Sequence, residues 1–153
     1  MTTGTRSRVE GDADRHDDGD GLPSKGRQPT ERTLIWLRKL GYTCDVVERR
    51  VARSLVTKDL FGCLDLVAIR DGDKGVLGVQ TTTAPHLAER VAKVKAEPRA
   101  ALWVACGNRI IVVGWKQETS GRKLWTPKLV ELHAGGITEA FDVLLPRDSA
   151  ALA

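Results

Sequence analysis

Gly62-Cys63-Leu64-Asp65-Leu66-Val67-Ala68-Ile69-Arg70-Asp71-Gly72-Asp73-Lys74-Gly75-Val76-Leu77-Gly78-Val79-Gln80-Thr81-Thr82 is the stretch that decides the fold of this chain. Residues 64–69 are apolar and β-prone, which is a strand pattern, and Asp65 stands at its start. Asp71-Gly72-Asp73-Lys74-Gly75 is a hairpin signal, because glycine supplies the positive φ that a tight turn needs. Residues 76–82 are then the returning strand. Side chains alternate along a strand, so Gln80 and Thr82 share one face and Thr81 takes the other. Polar groups on an otherwise apolar sheet need partners, which makes Asp65, Gln80 and Thr82 candidates for a site. The plainer readings are an Asp that caps a turn and a Gln hydrogen-bonded inside the core.

Upstream, Leu34, Leu37 and Leu40 recur at helical spacing, with Ile35 widening the stripe. Thr30 is the expected cap and Gly41 the expected stop. Glu31 borders the apolar face of this helix. Residues 42–47 form a short strand, and residues 49–63 are mixed. They carry Arg49, Arg50, Arg53 and Lys58 ahead of Asp59-Leu60-Phe61-Gly62. Downstream, residues 84–97 form a helix with Leu87, Val91 and Val94 on one face, ended by Pro98. Residues 100–105 and 109–115 are read as strands around Cys106-Gly107-Asn108, and residues 124–132 as a further one that Pro127 places at an edge. The order is helix, three strands, helix, three strands: an α/β domain.

The chain has 153 residues and 41 % hydrophobic content, enough for one domain with a core. No apolar run approaches the roughly 20 residues of a membrane-spanning helix. The polar N-terminus lacks a signal-peptide pattern, so a cytoplasmic location and no membrane partner are expected. Cys44, Cys63 and Cys106 lie in or beside apolar runs without CxxC spacing, as small buried hydrophobes do. Residues 1–29 carry six Asp/Glu against five Lys/Arg and almost no large apolar side chain, and are expected to be a disordered arm. A calcium-loop reading from Asp14 fails, because its twelfth position is Lys25 instead of a bidentate Glu. Residues 30–145 make the domain and 146–153 a loose tail. The net charge of +4 therefore becomes +5 beyond residue 29, compatible with a polyanionic partner.

An aspartate on one hairpin strand and oxygen-bearing side chains on the next are how a sheet holds a hard divalent cation. Mg²⁺ prefers oxygen ligands and retains several waters, so one carboxylate with carbonyl oxygens suffices. Asp65, the Gln80 side chain and the Thr81 carbonyl are that candidate set, with Glu31 as a further oxygen.

The Gly62-Cys63-Leu64-Asp65 approach, the hairpin and the Val76-to-Thr82 strand resemble the PD-(D/E)XK nuclease superfamily, in particular its Holliday-junction-resolvase-like and phage-type members with a Gln-x-Thr motif. The resemblance spans residues 30–106. It implies a restriction-endonuclease-like αβββαβ core, a mixed sheet flanked by helices, with extra strands at the C-terminal end. It implies a DNA endonuclease using Mg²⁺ or Mn²⁺, acting on branched or structured DNA. Asp65 would be the metal-binding acid, Gln80 would stand at the (D/E) position, Thr82 at the lysine position, and Glu31 would match the helical Glu of many members. Gln80 offers a neutral oxygen where the family has a second charge, and Thr82 offers no cation. His86, Arg90, Lys93 and Glu97 form one polar stripe on the second helix, from which His86 or Lys93 could replace the missing lysine. The same stripe also reads as a solvated face laced by Glu89–Lys93 and Lys93–Glu97 pairs. Lys58 and Asp59 lie in the approach to the site. Arg49, Arg50, Arg53, Lys58, Arg90, Lys93 and Lys95 are the expected phosphate contacts. Trp103, Trp115 and Trp125 fit core or sheet-face packing better than base stacking, and His133 carries no motif. DNA is the expected partner and a homodimer is left open. The alternative is a nuclease-fold module without catalysis that binds nucleic acid or protein.

Overall fold

The computed structural model describes residues 27–53, 56–134 and 136–139. The expected tail and all but the last three residues of the expected arm lie outside the described residues. The elements are helix α1 (Pro29–Lys39), strands β1 (Thr43–Val46), β2 (Arg49–Arg50), β3 (Thr57–Lys58), β4 (Leu66–Ile69) and β5 (Leu77–Thr83), helices α2 (Leu87–Ala96) and α3 (Pro98–Ala105), and strands β6 (Arg109–Gln117), β7 (Trp125–His133) and β8 (Gly136–Glu139). A 3₁₀ turn, Ala84–His86, leads from β5 into α2. This is an α/β architecture with a mixed sheet. The strand order is β1-β4-β5-β6-β7-β8, and β2 and β3 form a separate small hairpin.

The β1–β4 and β4–β5 pairs are antiparallel, β5 and β6 run parallel, and the β6–β7 and β7–β8 pairs are again antiparallel. A parallel pair cannot be joined by a tight turn, and α2 and α3 supply the crossover that β5 and β6 require. Alternation along β6 divides the core. Ile111, Val113 and Trp115 pack with Leu37 of α1 and with Leu66, Leu77 and Val79. Ile110 and Val112 pack on the other face with Leu64, Leu87 and Val94. The sheet is thus covered by α1 on one side and by α2 and α3 on the other.

Three local expectations change. Residues 100–105 are helix α3 and not a strand. Pro98 ends α2 and at the same time occupies the first turn of α3, where its missing N–H is harmless. Glu97 caps that turn, its Oε1 accepting from the Arg99 N–H at 3.1 Å. The short apolar run Ala100-Ala101-Leu102-Trp103-Val104-Ala105 has no periodicity long enough to separate strand from helix, and the cap decides. Thr30 does not cap α1: the cap position is Gln28 with no side-chain bond, and Pro29 opens the helix. Strand β7 lies inside the sheet, not at its edge. Pro127 is tolerated because β8 pairs only with Val130 to His133, leaving the proline's other side unpaired by β8. Gly41 does end α1 as expected, at φ 88°.

Glycine matters most at Gly78, on the face that α2 and α3 cover. A Cβ there would stand 2.8 Å from Leu64 Cδ1 and 3.2 Å from Trp103 Nε1. The bare backbone lets Leu64, immediately before Asp65, lie flat on the sheet. No helix among the described residues is long and apolar enough to cross a membrane.

Candidate functional site

Asp65 leads into β4 and is anchored before its side chain does anything. Its N–H donates to Val79 O at 2.8 Å, and its carbonyl accepts from the Val47 N–H at 2.9 Å. Its residue surface is 7 % exposed. Three donors converge on one carboxylate oxygen, Oδ2: Gln80 Nε2 at 2.7 Å, the Thr81 N–H at 2.7 Å and the Thr81 hydroxyl at 3.0 Å. The hairpin register places Leu66 opposite Val79, and this brings Gln80 and Thr81 alongside Asp65. Helix α1 contributes Thr30, whose hydroxyl lies 3.0 Å from that of Thr81.

A second carboxylate enters from the turn between β3 and β4. The Gly62 N–H donates to Asp59 O at 3.0 Å, Leu60 bridges to Leu64, and Phe61 adopts a left-handed φ of 55°. This compact turn folds Asp59 back until its carboxyl is within hydrogen-bonding reach of that of Asp65. Burial pushes the Asp65 carboxyl up to about 6, and the Asp59 charge pushes the same way. The Thr81 hydrogen bonds pull against both.

Lys93 comes to this pair from α2, with Nζ 3.7 Å from Asp59 Oδ2. The two intrahelical pairs of the solvated-face reading do not form among the described residues. Glu89 faces His86 at 3.4 Å, and Glu97 accepts from Arg99 Nε at 2.7 Å. Asp59 and Lys93 both line a cleft of about 750 Å³ together with Arg49, Lys58, Phe61 and Arg99. Four cations and one carboxylate on its walls make the cleft attractive to an anion.

The remaining candidates are placed as follows. Glu31 is exposed and pairs with Arg27 at 3.3 Å, away from Asp65. Thr82 is buried beside Gly114 of β6 and makes no hydrogen bond to Asp65 among the described residues. His86 is exposed. Arg49, Arg50 and Lys58 stand exposed on the β2–β3 hairpin, with Arg53 in the turn at φ 65°. Arg90 is half-buried, and its Nε is enclosed without a partner. Lys95 lines a different groove, of about 540 Å³, with Val94, Ala101 and Leu132. Trp115 is core, donating to Thr33 Oγ1 at 2.9 Å, and Trp103 donates to Arg109 O at 2.9 Å. Trp125 lies under the Arg32 guanidinium at 4.2 Å. Burial pushes the Cys63 thiol up to about 11, which suits a packing residue and not a reactive one.

Sequence reading gave no role to Thr30 beyond a cap, none to Arg99, and only an approach position to Asp59. The spacing held a signal for the last of these. Two carboxylates six residues apart, with Gly62 between them, can meet across one turn.

Among the described residues no three His, Cys, Asp or Glu gather, so a cation there would need amide or backbone oxygens and water beside its carboxylates. What does gather is oxygen: the Asp65 and Asp59 carboxyls and Gln80 Oε1. Gln80 is 2 % exposed, and its Oε1 is buried without a partner while its Nε2 serves Asp65. An orphaned buried acceptor on the amide that binds Asp65 fits a hard cation such as Mg²⁺ or Mn²⁺. Comparison with protein-family models, curated proteins and solved structures finds no match to this chain.

Proposed function

We propose that this chain is a metal-dependent endonuclease that hydrolyses phosphodiester bonds in DNA, built on a restriction-endonuclease-like core. The observation that carries this reading is the buried Asp65 carboxyl, oriented by Gln80 and Thr81 and meeting Asp59 at the wall of a cation-lined cleft. The order α1, β1, β4, β5, α2–α3, β6, with β5 and β6 parallel, supports the αβββαβ core that the sequence resembles. The last strand of that core is Arg109–Gln117 in place of residues 100–105.

Asp65, the Gln80 side-chain oxygen and the Thr81 carbonyl would hold Mg²⁺ or Mn²⁺. Bound there, the ion would lower the pKa of a water and neutralise charge on the scissile phosphate. The chain's own residues do the rest. Thr81 fixes the orientation of the Asp65 carboxylate through two donors on Oδ2. Lys93 presents a cation to the cleft, the role that Thr82 cannot take, and it is better placed than His86, which faces Glu89 outside the pair. Arg49, Lys58 and Arg99 hold the phosphate backbone along the cleft by charge, without reading sequence.

One observation favours a second reading, a nuclease-fold DNA-binding module. Asp65 Oδ2 already accepts three hydrogen bonds from the chain itself, as a structural acid would. Supercoiled, linear and branched DNA incubated with Mg²⁺ or Mn²⁺ separates the two. The proposal expects nicking or cleavage that Asp65→Asn abolishes while DNA binding persists. Salt-sensitive binding with no cleavage under either metal would overturn catalysis in favour of the module.

A further inference from the structure

Resting on that reading, we infer that Asp59 supplies the second metal-binding carboxylate and Lys93 its charge partner, so that the centre lacking an acid at Gln80 and a lysine at Thr82 is rebuilt from the 59–65 turn and helix α2.

Three independent placements lead there. The Asp59 carboxyl reaches that of Asp65 although the two come from opposite ends of a turn. Two carboxylates held this close repel unless a proton or a cation lies between them. Gln80 Oε1, enclosed and unpartnered, lies on the same amide whose nitrogen binds Asp65 Oδ2 at 2.7 Å. That oxygen is the neutral ligand the side chain would offer to a cation at the pair. Lys93 Nζ stands 3.7 Å from Asp59 Oδ2 on the outer, cleft side, with its side chain 43 % exposed. Its flexible stem can hold Asp59 while the centre is empty and turn to a phosphate once a cation claims that carboxylate. A lysine is suited to this, because its charge sits on a freely rotating arm.

A purely structural Asp59–Lys93 pair would tie the turn to α2 and have no bearing on metals. Titration of the full-length protein with MnCl₂, followed by calorimetry and by the Mn²⁺ paramagnetic resonance signal, separates the two without reference to cleavage. Wild type should bind one Mn²⁺. Asp59→Asn should weaken binding by about tenfold or more, since affinity follows the charge count of the ligands. Gln80→Glu in the Asp59→Asn background should restore most of it by returning an acid to the strand. Lys93→Met should bind Mn²⁺ at least as tightly as wild type while DNA cleavage falls. Thermal melts in chelator confirm that each variant is folded. Asp59→Asn binding like wild type, with Asp65→Asn not binding, would overturn the role of Asp59 and leave the Asp65 centre standing. Loss in Asp59→Asn that Gln80→Glu does not restore would equally overturn it, marking Asp59 as structural. No Mn²⁺ binding by wild type would overturn this inference and the nuclease reading together.

Discussion

Gln80 Nε2 donates to Asp65 Oδ2 at 2.7 Å, and the same amide leaves its Oε1 buried with no partner. The amide thus stabilises the buried Asp65 carboxylate as a donor while leaving its oxygen as an unused acceptor. A glutamate at this position could do only the second.

Gln80→Glu should therefore lower stability in chelator and raise the response to metal. Without metal, a third carboxylate replaces the donor and repels both Asp65 and Asp59, at an expected loss of about 1–3 kcal/mol for a broken buried hydrogen bond. With metal, the added charge strengthens the site. Melting curves in EDTA and in saturating Mn²⁺ measure both, and the metal-induced rise in Tm should exceed that of wild type. A variant as stable as wild type in EDTA would mean that the Gln80–Asp65 bond contributes little.

The sequence held the β4–β5 hairpin but not the site's second half. Asp65, the hairpin and Gln80-Thr81-Thr82 are legible because strand periodicity is local and the Asp71-to-Gly75 turn fixes the register. Asp59 is not, because its position depends on how the turn through Phe61 and Gly62 folds back, and Phe61 carries no sequence sign of a left-handed φ. Glu31 lies one position from the α1 residue that meets Thr81. The neighbouring Thr30 faces the sheet and Glu31 faces Arg27, a rotation that depends on where Pro29 starts the helix. Lys93 was legible as a member of a stripe. Its partner was not, because Asp59 comes from another element 34 residues away.

The Asp65 carboxyl should leave a mark on stability against pH in metal-free buffer. Its folded value of about 6 lies above the ordinary 3.8, so between these values the folded state binds more protons than the unfolded state. Its stabilising contribution is complete below pH 3.8 and is lost as pH rises through 6. Asp65→Asn should remove this loss and gain on wild type as pH rises across that window, by up to about 3 kcal/mol. Urea denaturation in EDTA between pH 4 and pH 8 measures it. Parallel curves for the two proteins would place the Asp65 titration elsewhere.

DNA affinity should depend on the hairpin and not on the far groove. Arg49 and Lys58 are paired across β2 and β3 and both line the cleft, whereas Lys95 lines the groove beside Leu132. Arg49→Ala with Lys58→Ala should weaken binding uniformly across sequences and reduce the salt slope by about one per lost contact. Lys95→Ala should change neither. Fluorescence anisotropy over a salt series reads both quantities, and an equal effect from Lys95→Ala would move the DNA path off the cleft.

Gly78 links the fold to the site. It pairs with Val67 on β4 and Ile110 on β6, and its missing Cβ makes room for Leu64 Cδ1 and Trp103 Nε1. Leu64 is fully buried and adjoins Asp65, so a shift of its backbone would carry the carboxylate with it. Gly78→Ala should destabilise by about 1–3 kcal/mol through overpacking. Its effect should also reach the site, seen as weaker Mn²⁺ binding. Leu64→Ala creates space at the point of collision, so the double variant should lose less than the sum of the two single losses. A double-mutant cycle by urea denaturation tests the coupling. Strict additivity would show that the strain of Gly78→Ala is relieved through Trp103, whose bond to Arg109 O would then be the contact given up.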